Sequence, residues 1–317
     1  MSRYVHLNGN LLPADAARVS VFDGGFLHGA GLFETMRAQG GRVFRLEAHL
    51  DRLARSAETL SLPIPRSALP EAEVFEELLA RNDLREARVR LTATPGAVLP
   101  ACAQRPDVDD GQDVDPSSCA GAASRGISAD PADAIPAPTI CIVADELRPH
   151  PPDAYRHGVA VMISRRPQIA SDPLTAHKTL CYLPRLAALQ QARLARCAES
   201  LFFDESNHLA EGTISNVFIV RNGRLRTPSL STPVLPGVAR RVVLELAATL
   251  GIRADDAEPI TINDLLDADE VFLTSVIALV LPVVRVERKT IAQGAPGPVT
   301  TNLLKGFRDL IASECKA

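Results

Sequence analysis

No run of about 18 apolar residues occurs anywhere in this 317-residue chain, so no segment reads as a membrane-spanning helix. The opening Met1-Ser2-Arg3-Tyr4-Val5-His6 lacks the apolar core of a secretory signal, and the expectation is a cytoplasmic protein. Six cysteines, at 102, 119, 141, 181, 197 and 315, include no Cys-x-x-Cys pair, which argues against a zinc knuckle or redox motif and for reduced thiols. The seven histidines contain no His-x-x-x-His pair, so no metal site is indicated. A formal charge of -4 gives no reason to expect a nucleic acid or an anionic membrane as partner. A small molecule is the expected ligand. One stretch lacks even the means to fold: residues 97–137 hold no aromatic side chain and seven aspartates against two arginines. With so little apolar area to offset ordering entropy, they read as a disordered or loosely held insertion.

Over the whole chain 46% of residues are hydrophobic, enough for a core in each of two domains. Tyr4 to Leu11 alternates around an Asn8-Gly9 turn, as a strand hairpin does. The glycines of residues 19–37 read as a turn that lets the backbone approach a ligand closely. Arg42 to Leu46 reads as a strand leading into a helix with Leu50, Leu53, Ala57 and Leu60 on one face. A second helix is expected over 72–81 and a strand over 87–94, followed by a buried strand from Thr139 to Ala144. The stiff Arg148-Pro149-His150-Pro151-Pro152 places a boundary between a smaller α/β domain, 1–149, and a larger one, 158–317. The second half begins with a strand near 158–164 and a helix after Pro184. It continues with strands at 200–204 and 216–220, an Asn222-Gly223 hairpin, a helix opened by Pro236-Gly237, a strand at 269–275 and a C-terminal amphipathic helix.

Two ionisable residues in the 176–216 stretch stand out for chemistry. Lys178, at a loop-to-helix junction, can hold the aldehyde of pyridoxal phosphate and carry protons. Glu211, just before an apolar strand, can keep the pyridine nitrogen of that cofactor protonated. Taken singly, each is also an ordinary solvated side chain. The Gly237-Val238-Ala239 helix start offers free backbone N–H groups to a phosphate.

The segments Phe26-Leu27-His28-Gly29-Ala30-Gly31-Leu32-Phe33-Glu34-Thr35, His49-Leu50-Asp51-Arg52-Leu53, Ala176-His177-Lys178-Thr179, Glu211-Gly212-Thr213-Ile214-Ser215-Asn216 and Leu235-Pro236-Gly237-Val238-Ala239-Arg240 follow one another in the order of a known family. They resemble the class IV, fold-type IV pyridoxal phosphate enzymes: branched-chain aminotransferases, D-amino acid aminotransferases and aminodeoxychorismate lyases. The resemblance implies a two-domain α/β (α+β) fold, a homodimer, and pyridoxal 5'-phosphate as cofactor. It implies Lys178 as the catalytic residue. Cofactor contacts would come from Arg52, Lys178, Tyr182, Glu211, Ser215, Asn216, Gly237, Val238, Ala239, Thr274 and Ser275, and substrate contacts from His28, Phe33 and Arg90. Arg52 would hold the phosphate through its forked guanidinium.

Departures from the family pattern bear on specificity. Cys181 stands where relatives often carry Asn, and Ala239 and Val276 where they often carry Thr, which removes some phosphate hydroxyl donors. His28 stands where branched-chain enzymes carry Tyr, and Gly31 to Thr35 looks like the lyase and D-amino acid subgroups. Tyr182 resembles the broad-specificity aminotransferases. The expected activity is transfer of an amino group between an amino acid, of the branched-chain L or the D type, and a 2-oxo acid such as 2-oxoglutarate. The alternatives are a lyase releasing pyruvate and 4-aminobenzoate from aminodeoxychorismate, and a non-enzymatic binding protein that keeps the fold.

Overall fold

In the computed structural model, which describes residues 3–98 and 137–316, the strand Ala87–Thr94 sends alternate side chains to opposite faces of a six-stranded sheet. Ala87, Val89, Leu91 and Ala93 are buried beneath two helices, Leu46–Thr59 and Ala72–Arg81. Arg88 and Arg90, with the opposite parity, line a cavity. The strands run in the order Asn10–Pro13, Tyr4–Leu7, Thr139–Glu146, Ala87–Thr94, Leu32–Gln39, Arg42–Val43, each neighbouring pair antiparallel. Along the first helix Leu46, Leu50, Leu53 and Ala57 recur every three or four residues and so share the buried face. Each fully buried leucine contributes about 1.5–3 kcal/mol, which holds this helix on the sheet.

The second sheet draws all its strands from residues 159–290. Its order is Ala254–Asp255, Arg224–Arg226, Asn216–Arg221, Glu270–Ser275, Leu279–Val286, Val159–Ile163, Ser200–Phe203, Leu209–Gly212, with Lys289–Thr290 also pairing Leu279–Val286. The central strands are buried on both faces, which is why they read as continuous apolar runs rather than alternating ones. Helices Val238–Thr249 and Pro298–Glu314 cover one face, where Phe218 and Phe272 stack at 5.0 Å between centroids. Phe44 from the first sheet's half enters this same core and packs on Phe307.

The structure corrects several sequence expectations. The strand expected over Arg42 to Leu46 stops at Val43, because Arg45 takes a left-handed conformation (φ 53°) and the helix begins at Leu46. Arg45 is held there by Glu245 and Glu314. Pro152, expected in a stiff connector, opens a short helix, Pro152–His157, where a missing N–H costs nothing. The glycine-rich residues 19–37 hold more than a turn: a helix, Gly24–His28, and the eight-residue strand Leu32–Gln39. Glu211 lies inside a short strand, Leu209–Gly212, rather than before one. The last strand of the first sheet ends at Glu146 and the first strand of the second begins at Val159. The aspartate-rich insertion lies, over 99–136, outside the described residues. Among the described residues no helix is long and apolar enough to cross a membrane.

Candidate active site

A cavity of about 880 Å³ opens between the two sheets. One wall carries Phe33, Thr35, Arg88 and Arg90 of the first sheet, and the other carries Lys178, Tyr182, Arg185, Glu199 and Glu211. The loop bearing Lys178 reaches it by leaving the second sheet and pairing with the first. Phe33 N–H donates to the Lys178 carbonyl at 2.9 Å, Leu180 N–H donates to Gly31 at 2.9 Å, and Leu32 bridges Thr179. Gly31 makes this approach feasible, since a Cβ there would lie 2.8 Å from the Ala93 carbonyl and 2.9 Å from Leu180. Lys178 Nζ stands over the Phe33 ring, 4.5 Å from its centroid, and 5.6 Å from that of Tyr182. Burial, reinforced by the Arg52 charge, lowers its basicity to about 8 from the ordinary 10.5. A larger fraction of this amine is therefore neutral and nucleophilic near neutral pH than on a surface lysine.

One end of the cavity gathers an arginine, a buried carboxylate and a helix start. Glu34 has the inward parity of Leu32, Met36 and Ala38, so it points beneath the helix Leu46–Thr59 instead of into solvent. There Arg52 clasps it with Nε to Oε1 at 2.8 Å and Nη2 to Oε2 at 2.6 Å, and His49 Nδ1 bonds Oε2 at 2.7 Å. Burial alone would raise the Glu34 carboxyl, but Arg52 and His49 outweigh it and hold it at about 2. A third Arg52 bond, Nη1 to the Pro236 carbonyl at 3.1 Å, ties the guanidinium to the start of helix Val238–Thr249. That helix has Gly237 as its N-cap and no side-chain cap, leaving first-turn N–H groups at the cavity. Gly237 has no room for a side chain: a Cβ would lie 2.0 Å from Asn216 Oδ1.

Glu211, 2% exposed, is the buried carboxylate of the same cavity. Its Oε1 accepts from Arg185 and from Gln168 Nε2 at 3.3 Å, and its Oε2 accepts from Leu235 N–H at 3.1 Å and Asn216 Nδ2 at 3.4 Å. Asn216, at the start of strand Asn216–Arg221, also donates to the Leu235 carbonyl at 2.9 Å, which ties that strand to the segment leading into the Gly237 helix start. Tyr182 donates its hydroxyl to the Thr213 carbonyl at 3.2 Å and meets Phe33 edge to face at 5.1 Å. Burial pushes that phenol up to about 12, so it remains neutral.

Of the residues singled out in the sequence, Arg52, Phe33, Arg90, Lys178, Tyr182, Glu211, Ser215, Asn216, Gly237, Val238, Ala239, Thr274 and Ser275 all line this one cavity. His28 does not: it is exposed at the end of helix Gly24–His28. Thr274 spends its hydroxyl on the Leu279 carbonyl at 2.6 Å, and Ser275 Oγ accepts from Ala278 N–H at 3.1 Å. Ser215 Oγ donates to Glu199 at 3.0 Å. The Arg90 guanidinium sits over Phe33, 3.8 Å from the ring centroid, and burial together with Arg88 lowers its basicity. Sequence reasoning passed over Glu34, His49, Arg185 and Glu199 as functional groups. For Glu34 a signal existed, a carboxylate at the apolar parity of a strand. For Arg185, in the first turn of a leucine-rich helix, none did.

The cavity brings together a lysine, an arginine beside a helix start and a buried carboxylate, and comparison with known proteins places the chain. Residues 31–107 and 118–286 match the family model described as amino-transferase class IV, and the chain belongs to that family. It is 35% identical over 306 residues to a putative branched-chain-amino-acid aminotransferase of Methanocaldococcus jannaschii, covering 96% of both chains. It is 30% identical over 285 residues to the aminodeoxychorismate lyase of Bacillus subtilis, covering 89% of this chain and 86% of that one. A branched-chain amino acid aminotransferase of T.th., solved with N-(5'-phosphopyridoxyl)-L-glutamate, superposes with a TM-score of 0.79 at 25% identity, over 99% of this chain and 95% of that one. The fold is therefore that of the fold-type IV aminotransferases, and the chain is an enzyme of the aminotransferase type.

Proposed function

We propose that this enzyme uses pyridoxal 5'-phosphate to move an amino group between an amino acid, of the branched-chain L or the D type, and a 2-oxo acid such as 2-oxoglutarate. The observation that carries this reading is one cavity holding a lysine of lowered basicity, an arginine-and-helix anion seat and a hydrogen-bonded buried carboxylate. The donor set fits the cofactor: Arg52 has N–H groups left beyond those given to Glu34 and Pro236, and the Gly237 turn has no side chain to obstruct a phosphate. When bound, the cofactor supplies an electron-accepting ring that stabilises negative charge at the substrate Cα.

Each residue then has a definite task. Arg52 and the first-turn N–H groups of Val238 and Ala239 hold the phosphate. Glu211, oriented by Arg185, Asn216, Gln168 and the Leu235 N–H, supplies the negative charge that favours a protonated ring nitrogen. Lys178 Nζ would hold the cofactor's aldehyde and, with the cofactor carrying substrate, would be placed to remove the Cα proton and deliver it again. Its basicity near 8 suits both directions of that transfer. Arg90, with no ion-pair partner among the described residues and its guanidinium over Phe33, suits a substrate carboxylate.

Free thiols at Cys141, Cys181, Cys197 and Cys315 agree with a cytoplasmic enzyme. A homodimer is supported by an exposed apolar strip over residues 21–27, where Val21 is 62% and Phe26 73% exposed. Residues 1–149 and 158–317 serve as its two domains. The test is visible absorption of the cofactor-loaded protein as single L- and D-amino acids are added. Bleaching by one amino acid and recovery with a 2-oxo acid identify the donor. An unresponsive band together with pyruvate release from aminodeoxychorismate would replace transfer by the lyase reaction. Lys178→Ala should abolish turnover while leaving the unfolding midpoint near that of the parent, and normal turnover would sink the assignment.

A further inference from the structure

His49 is 1% exposed and lies one helical turn before Arg52 on the same face of helix Leu46–Thr59, among the residues lining the anion end of the cavity. Its two ring nitrogens differ. Glu34 is ionised down to about pH 2, so Nδ1, at 2.7 Å from that carboxylate, must be the donor. Nε2 has no hydrogen-bond partner among the described residues, although it is buried. Burial keeps the ring neutral, and the Arg52 and Lys178 charges add to that, while Glu34 alone favours the charged form. Beyond Arg52 on the same helix face, Ser56 is bonded to His177 Nδ1 at 2.9 Å and supplies nothing to Nε2. A neutral imidazole with an unsatisfied buried acceptor is costly unless the site is completed by something else.

We propose that His49 is a proton-coupled ligand of the phosphate group: when phosphate binds between Arg52 and the Gly237 helix start, Nε2 takes a proton from solvent and donates it as a hydrogen bond to a phosphate oxygen. Binding a dianion adds negative charge beside the ring, which reverses the balance set by Arg52 and Lys178. The imidazolium then has a carboxylate on Nδ1 and a phosphate on Nε2, and both ring N–H groups are satisfied. This inference rests on the cofactor reading above, and extends it by assigning a further phosphate contact and a pH dependence to cofactor capture.

The experiment is a calorimetric titration of the cofactor-free protein at pH 8 in two buffers of different ionisation enthalpy, with pyridoxal phosphate and with pyridoxal as probes. His49→Asn keeps a donor where Nδ1 stood and removes Nε2. The parent protein should take up roughly one more proton per site than His49→Asn with pyridoxal phosphate, and the difference should vanish with pyridoxal. The variant should also bind pyridoxal phosphate at least about tenfold more weakly, with pyridoxal affinity unchanged. Should the variant fail to fold, nitrogen-15 imidazole spectra of the parent protein decide, since Nε2 should change from unprotonated to protonated on addition of inorganic phosphate. A cofactor absorption band with equal proton counts, or an imidazole that stays neutral with phosphate bound, overturns the role of His49 alone. No binding of either phosphate compound overturns it together with the cofactor reading.

Discussion

Replacing Glu34 by Gln should destabilise the protein in a way that depends on pH. The Glu34 carboxyl sits at about 2 against an ordinary 4.5, and at about 1.36 kcal/mol per pH unit that gap corresponds to about 3 kcal/mol of stability. The sign follows from the folded carboxyl being the stronger acid. Between pH 4.5 and about 2 the unfolded chain binds the extra proton, so this stabilisation is complete above 4.5 and is lost as pH falls through about 2. Removing the charge also leaves the Arg52 guanidinium, 6% exposed, without its carboxylate, and breaking a buried pair costs about 3–5 kcal/mol. Urea unfolding of parent and variant at about pH 7, 5, 4 and 3 measures the difference directly. It should be about 3–5 kcal/mol at the two higher pH values and shrink steadily below about 4.5. Glu47→Gln provides the contrast, because its bond to Arg66 joins two solvent-accessible side chains and should be worth less than about 1 kcal/mol at any pH. A Glu34→Gln effect below about 1 kcal/mol, or one that stays constant down to about pH 3, would refute the reasoning that this triad is a buried, ionised cluster.

Three further outcomes are expected. The rate at which Lys178 captures pyridoxal phosphate, followed by absorbance after rapid mixing, should rise as the amine deprotonates through about pH 8 and level off above it; a rise continuing to about pH 10 would mean an unperturbed lysine. Gly237→Ala should weaken cofactor binding by about tenfold or more in an equilibrium titration, because the added methyl meets Asn216 Oδ1 at 2.0 Å, and it should cost about 1–3 kcal/mol in stability from the same overpacking. Arg185→Leu removes the cation bonded to Glu211 inside the cavity and should destabilise the protein by about 3–5 kcal/mol in urea, with loss of cofactor binding in parallel; a variant unchanged in both would show that Arg185 is a bystander.

The helices over 46–59 and 72–81 and the strand over 87–94 could be read from periodicity because each has one wet and one dry face, so its apolar spacing carries its geometry. The strand Leu32–Gln39 escaped that reading, since Glu34 occupies an inward position that polarity alone assigns to solvent. A five-residue helix such as Gly24–His28 is too short to leave a period, and its cap from Asp23 is a single bond.

The site divides in the same way. Residue types and their order along the chain carried the proposed chemistry: an amine at 178, a carboxylate at 211, a forked cation at 52 and a helix start at 237 are the groups that the proposed cofactor would call for. What the tertiary structure alone decided is which groups share a surface and what charge they carry. Arg52 and Glu34 meet across a helix and a strand, and Arg185 and Glu211 across 26 residues of chain. Lys178 acquires its lowered basicity only when its loop is drawn against Gly31 and Phe33. His28, in the same motif as Phe33, is turned to the outside. Local sequence specifies local conformation and chemical type, whereas burial, and with it every shifted proton affinity here, is a property of the closed fold.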